Sequence, residues 1–142
     1  MTLSDFIARH RASLIALADR PGCAASPRWT QQLLGWFATA ALRPDAALSQ
    51  EQLRPVLMCL ARLLLRECTF ITAADGEHIH VVPVPAGAGH GRVKAALTDL
   101  LECLVAHDAE LAGRLRAEVR AQIGEDFGFV AAQAQERGRA KS

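Results

Sequence analysis

Apolar side chains recur along this chain at two different periods, and the change between them divides it. From Leu3 to Asp19 the series Leu3, Ile7, His10, Leu14 and Leu17 steps by three and four residues, the spacing of one helical face. Arg9, Arg11, Ser13 and Arg20 lie off that face, and Pro21-Gly22 stops the helix. Ser26 supplies an N-cap for a second helix, and Pro27 takes the first helical position, where its missing N–H would be unpaired anyway. Trp29, Leu33, Trp36, Phe37 and Ala40 form its apolar face, and Arg43-Pro44-Asp45 ends it.

Ser49 and Gln52 fit a capping box that opens a third helix. Pro55 removes a backbone hydrogen bond, so this helix is expected to kink there or to start near Arg54. From Val56 to Leu65 nearly every side chain is apolar, the pattern of a helix buried on several sides. It is expected to be the central helix of the core or part of a subunit interface. Arg54, Arg62 and Arg66 share one of its faces.

The period then falls to two. Thr69-Phe70-Ile71-Thr72-Ala73 and His78-Ile79-His80-Val81-Val82 flank Asp75-Gly76, a pair that favours a type I′ turn. A two-residue turn there sets Thr72 opposite Ile79 and Phe70 opposite Val81 on an apolar face; Ile71, Ala73, His78 and His80 take the other. An isolated hairpin is marginal in water, so this one must pack on helices, through Phe70, Ile79 and Val81, or gain strands from a partner.

Two prolines and three glycines make Pro83 to Gly91 a flexible loop and a candidate hinge. A fourth helix is expected from Arg92 to His107, with Val93, Leu97, Leu100, Leu101 and Leu104 as its stripe. A fifth runs from Ala109 to Ile123, with Leu111, Leu115 and Val119, and ends at Gly124; with no strong breaker between them, the two also read as one bent helix. Phe127, Phe129 and Val130 are expected to dock, and residues 136–142 to form a frayed basic tail. The sum is a mostly α (α+β) fold: a compact bundle of five to six helices, with an antiparallel hairpin at about 69–82 between the third and fourth. It makes a single domain over residues 1–135. At this length a domain buries roughly 70% of its unfolded surface.

Charge narrows the partners. Sixteen basic and 15 acidic residues leave a net charge of +1, too small for a broad field toward nucleic acid or anionic membrane. The absence of Tyr, with Arg and Ala in excess, reads as the composition of a GC-rich bacterial genome. The longest apolar run contains Arg62 and is too short to span a bilayer, and Asp5, Arg9, His10 and Arg11 do not suit a signal peptide. The expected location is the cytoplasm, with Cys23, Cys59, Cys68 and Cys103 as reduced thiols outside any CxxC pair.

Candidate chemistry is sparse. His78 and His80, two apart on a strand, point the same way, as metal-chelating pairs do, with His90 and Cys68 as the nearest candidates for a third ligand. The composition otherwise implies no cofactor. His10 interrupts an apolar stripe and is expected at the edge of the core with a hydrogen-bonded ring nitrogen. His107-Asp108 reads as a helix boundary. Cys59, Cys68 and Cys103 sit in apolar helical context, as buried thiols do. Gly87 to Gly91 before a helix is a place where an anion can sit at a helix N-terminus.

The order helix, helix, hairpin resembles a winged helix. That resemblance implies DNA binding, with the third helix in the major groove and the hairpin against the backbone. The turn Asp75-Gly76-Glu77 is acidic where such a wing needs Lys or Arg. The surplus of this chain is apolar surface, and its leading reading is a non-enzymatic assembly, accessory or adaptor protein. It would act as a homo-oligomer, most simply a C2 dimer, with Val56, Met58, Leu60 and Leu64 in self-association. A winged-helix regulator, or a metal- or haem-linked sensor using the hairpin histidines, are the alternatives.

Overall fold

The computed structural model describes residues 1–20 and 26–140, with side chains at all of these except 26–27, 70, 75, 79–81 and 126–140. Its element order is α1 (Leu3–Ala18), α2 (Ser26–Leu42), α3 (Pro44–Ala47), α4 (Gln50–Arg66), β1 (Cys68–Asp75), β2 (His78–Pro85), α5 (Gly87–His107) and α6 (Ala109–Ala140). This is the expected α+β bundle, with an antiparallel hairpin between its longer helices.

Caps set the helix boundaries. Thr2 and Asp5 form a capping box at α1: Asp5 N donates to Thr2 Oγ1 at 3.2 Å and Thr2 N to Asp5 Oδ2 at 3.3 Å. Ser49 caps α4 by accepting from Gln52 N at 3.4 Å. Pro55 lies inside α4 rather than at its start. At Asp108 the helical path breaks, and its carboxylate accepts from Leu111 N at 3.1 Å, so α5 and α6 are two helices with their boundary at His107-Asp108. Gly124 does not end α6, whose backbone continues to Ala140.

The third expected helix is α4, because one turn, α3, precedes it. Helix α2 ends at Leu42, before Arg43-Pro44-Asp45 as expected, and Pro44 then opens α3. Trp36 holds that turn in place by donating Nε1–H to the Ala47 carbonyl at 3.1 Å in the core.

Helix α4 is the hub, packed on α2, α5 and α6 with β1 at its end, while α1 lies on α2 and α5. Leu53, Val56, Leu57, Cys59, Leu60, Ala61 and Leu63 of α4 are all buried. Around them gather Phe6 and Leu14 of α1, Leu33, Trp36 and Phe37 of α2, Val93, Leu100 and Leu104 of α5, and Leu111 and Leu115 of α6. Phe6 meets Trp36 edge-on at 6.1 Å between ring centres.

Two sequence expectations need correction at the hairpin. Its register pairs Thr72 with Val81 and Phe70 with Pro83, and Asp75 with His78, so the turn residues are Gly76 and Glu77 rather than Asp75 and Gly76. Only Gly76 has positive φ, at +64°, which is the type II′ requirement instead of type I′. The slip is by two residues, so each residue keeps its face. Second, Pro83 to Gly91 is no hinge loop: β2 continues to Pro85 and α5 begins at Gly87. Gly87, at φ +68°, turns the chain from strand into helix.

Candidate functional site

The hairpin and its junction with α4 and α5 carry the most distinctive side-chain arrangement. Cys68 pairs with Pro85 at the base of the ladder, and one step below it Ala86 N donates to the Glu67 carbonyl at 2.9 Å. Backbone hydrogen bonding therefore runs unbroken from the strands into the helical core.

Glu67 itself is a buried carboxylate, 4% exposed. Burying a carboxylate demands a cation and hydrogen bonds. Arg20, just past the end of α1, lies 2.8 Å from Oε1 and 2.9 Å from Oε2, donating to the latter; Arg66 Nη2 is 3.8 Å from Oε1. Arg66 also donates to the Leu17 carbonyl and lays its guanidinium over the Trp29 ring, 5.2 Å from the ring centre. The cluster thus ties the ends of α1 and α4 and the start of α2 to the hairpin base.

The other side of the Glu67 carboxylate rests on α5. A Cβ at Gly89 would lie 2.7 Å from Glu67 Cδ. The glycine-rich turn reads in sequence as a place for an anion, and the anion beside it is the chain's own carboxylate, near the positive end of the α5 dipole.

A second polar cluster joins α1 to α5. His10, buried as expected for its place in an apolar stripe, sets Nε2 2.6 Å from Asp99 Oδ2, and its ring packs on Phe6 at 5.1 Å. Arg9 Nη1 reaches the same oxygen at 3.2 Å. The hydrogen bond with His10 and then Arg9 hold the Asp99 carboxyl below its ordinary value, against the opposing effect of burial.

Burial disfavours the thiolate at each described cysteine. Burial pushes the Cys59 thiol up to about 12, with Arg62 and Arg66 only partly countering it. Burial likewise raises Cys68 and Cys103. Cys23 lies outside the described residues.

The sequence candidates separate. His78 is exposed beside the hairpin turn and His90 half-buried in the first turns of α5, while the His80 side chain lies outside the described residues. Among the described residues no three His, Cys, Asp or Glu side chains converge as a metal group. Val56 and Leu60, expected in self-association, are 2% and 0% exposed within the chain's own core, whereas Met58 and Leu64 are half-buried. The side chains of Phe70, Ile79 and Val81 lie outside the described residues; β2, which carries two of them, runs beside α6.

Across the ladder, Ile71 pairs with Val82, and both are exposed, at 51% and 39%. Thr69, Thr72, Ala73, Ala74 and Pro83 are exposed as well. No described helix is long and apolar enough to cross a membrane. Comparison with known proteins finds no matching family model, no matching curated protein and no matching solved structure.

Proposed function

We propose that this chain is a non-enzymatic assembly or adaptor protein of a bacterial cytoplasm, working through protein–protein contacts and acting as a homo-oligomer through its hairpin. The carrying observation is the exposed cross-strand pair Ile71 and Val82. A bundle that buries its core leucines elsewhere leaves these two β-branched side chains side by side in water. Such a pair stabilises a sheet most when a further surface covers it. The sheet supports the same reading: it has two strands, so β1 has a ladder neighbour on one side only, and an open edge of this kind accepts a strand from another chain.

Light scattering over a wide concentration range tests the reading. The expected mass is twice the chain's 15.3 kDa, returning to the single-chain value in Ile71→Lys and Val82→Lys with the helical signal in circular dichroism retained. A wild-type mass equal to one chain at every concentration would overturn it.

A further inference from the structure

Arg9, Arg20, Arg54 and Arg66 are held by carboxylates within the chain, whereas two other arginines that are not line one cleft. Arg54 makes a two-pronged bond to Glu118, at 2.9 Å from both Nε and Nη2. Arg20 and Arg66 share Glu67, and Arg9 takes Asp99. Arg62, on the same face of α4 as Arg54 and Arg66, has no carboxylate partner among the described residues, and neither does Arg28 of α2.

These two arginines line one cleft between α2 and α4, of about 270 Å³, together with Trp29, Gln32, Pro55 and Met58. Among the described residues no acidic side chain lines it. Two guanidinium groups around an indole, a proline ring and a thioether make a concave positive site with low-dielectric walls, where the field on an entering anion exceeds that over a flat surface. Guanidinium favours a carboxylate because its planar fork matches the two oxygens. Met58, read from the sequence as a self-association residue, forms part of the wall.

The hairpin turn offers a carboxylate, Glu77. It is exposed at the turn of the hairpin, and no described cation pairs with it. Strands of eight residues carry that turn up to about 25 Å from the hairpin base.

We propose that the acidic turn of one copy's hairpin docks in the Arg28–Arg62 cleft of a second copy, with Glu77 as the carboxylate the two guanidinium groups take. The proposal rests on the homo-oligomer reading above and names the contact. Each copy has one turn and one cleft, so a twofold pair makes the contact twice and leaves neither site empty. The charge of Glu77 and one of the two positive charges of each cleft are then compensated, and Ile71 and Val82 are carried toward the partner's surface.

Charge exchange tests it. Glu77→Arg and Arg62→Glu are substitutions of exposed side chains that bond to nothing else described. Each alone is expected to raise the dimer dissociation constant at least roughly tenfold in sedimentation velocity, and the combined E77R/R62E chain to recover most of the loss. Wild-type association is also expected to weaken steadily with added sodium chloride. If both single variants dimerise as the wild type does, the contact is overturned while the homo-oligomer reading stands, and the cleft is left for an acidic segment of another protein. If the wild type is a monomer throughout, both fall.

Discussion

The carboxylate of Glu67 occupies the space that a side chain on residue 89 would need. A Cβ on Gly89 would lie 2.7 Å from Glu67 Cδ and would overlap Oε2. Because Glu67 is 4% exposed and held by Arg20, its carboxylate yields only by breaking that ion pair. Gly89→Ala is therefore expected to destabilise the fold by roughly 1–3 kcal/mol, the range for overpacking a filled site. Urea denaturation measures it. In a Glu67→Ala background the same substitution should cost much less, since the space is then vacant. Equal costs in the two backgrounds would show that the residues do not compete for it.

The pair His10 and Asp99 makes the fold sensitive to acid. Asp99 titrates below its ordinary value of 3.8, chiefly through the His10 hydrogen bond. A carboxyl depressed in the folded state stabilises it at pH above the unfolded value, and that contribution is lost as pH falls through the lower, folded value. Asp99→Asn should lower stability near neutral pH by about 1.5–3 kcal/mol, the range for a hydrogen bond to a charged group. Its stability curve should also be flatter than that of the wild type on the acid side. Urea midpoints from neutral pH down to about 3 check both; parallel acid limbs would assign the acid sensitivity elsewhere.

How far these features were legible depended on whether their cause is local. The α4 cap at Ser49, the break at Asp108 and the burial of His10 each follow from neighbours within one or two turns, and the sequence pattern carries them. The hairpin faces were legible because a slip of two residues leaves every side chain where it was. Which residues form the turn was not, since Asp-Gly and Gly-Glu both satisfy a two-residue loop. The helical start of α5 was hidden because glycine reads as a breaker. The reason for Gly89 is the Glu67 carboxylate, which reaches it from a distant point in the chain. Glu67 gave no signal of its own, since Arg20 is 47 residues away and no periodicity relates them. The lone His10 in an apolar stripe announced a partner, but nothing in its own helix pointed to Asp99, 89 residues on.

Thiol chemistry should be ordered by burial. The thiolate is the reacting species, and Cys59, raised to about 12, holds almost none of it at pH 8. In the native protein Cys59 should alkylate with iodoacetamide more than about a hundredfold more slowly than in denaturant, because so little of it is thiolate even before access is counted. Half-buried Cys68 should label ahead of it. Peptide mass mapping over time reads each site; native labelling of Cys59 at the denatured rate would contradict its burial.

Gly76 governs the hairpin more than the bundle. Its φ of +64° is the left-handed region, where an L side chain costs about 1–2 kcal/mol. No atom lies within 4 Å of a Cβ there, so Gly76→Ala adds backbone strain without a steric clash. The hairpin's described residues between Thr69 and Pro83 are exposed, so little packing offsets that strain. Amides of β1 and β2 are then expected to exchange with deuterium about tenfold faster or more, while those of α4 and α5 keep their wild-type rates. Equal acceleration in α4 would mean that hairpin and bundle unfold as one unit. Restoring slow exchange with D-alanine at position 76, placed by chemical synthesis, would isolate the sign of φ as the cause.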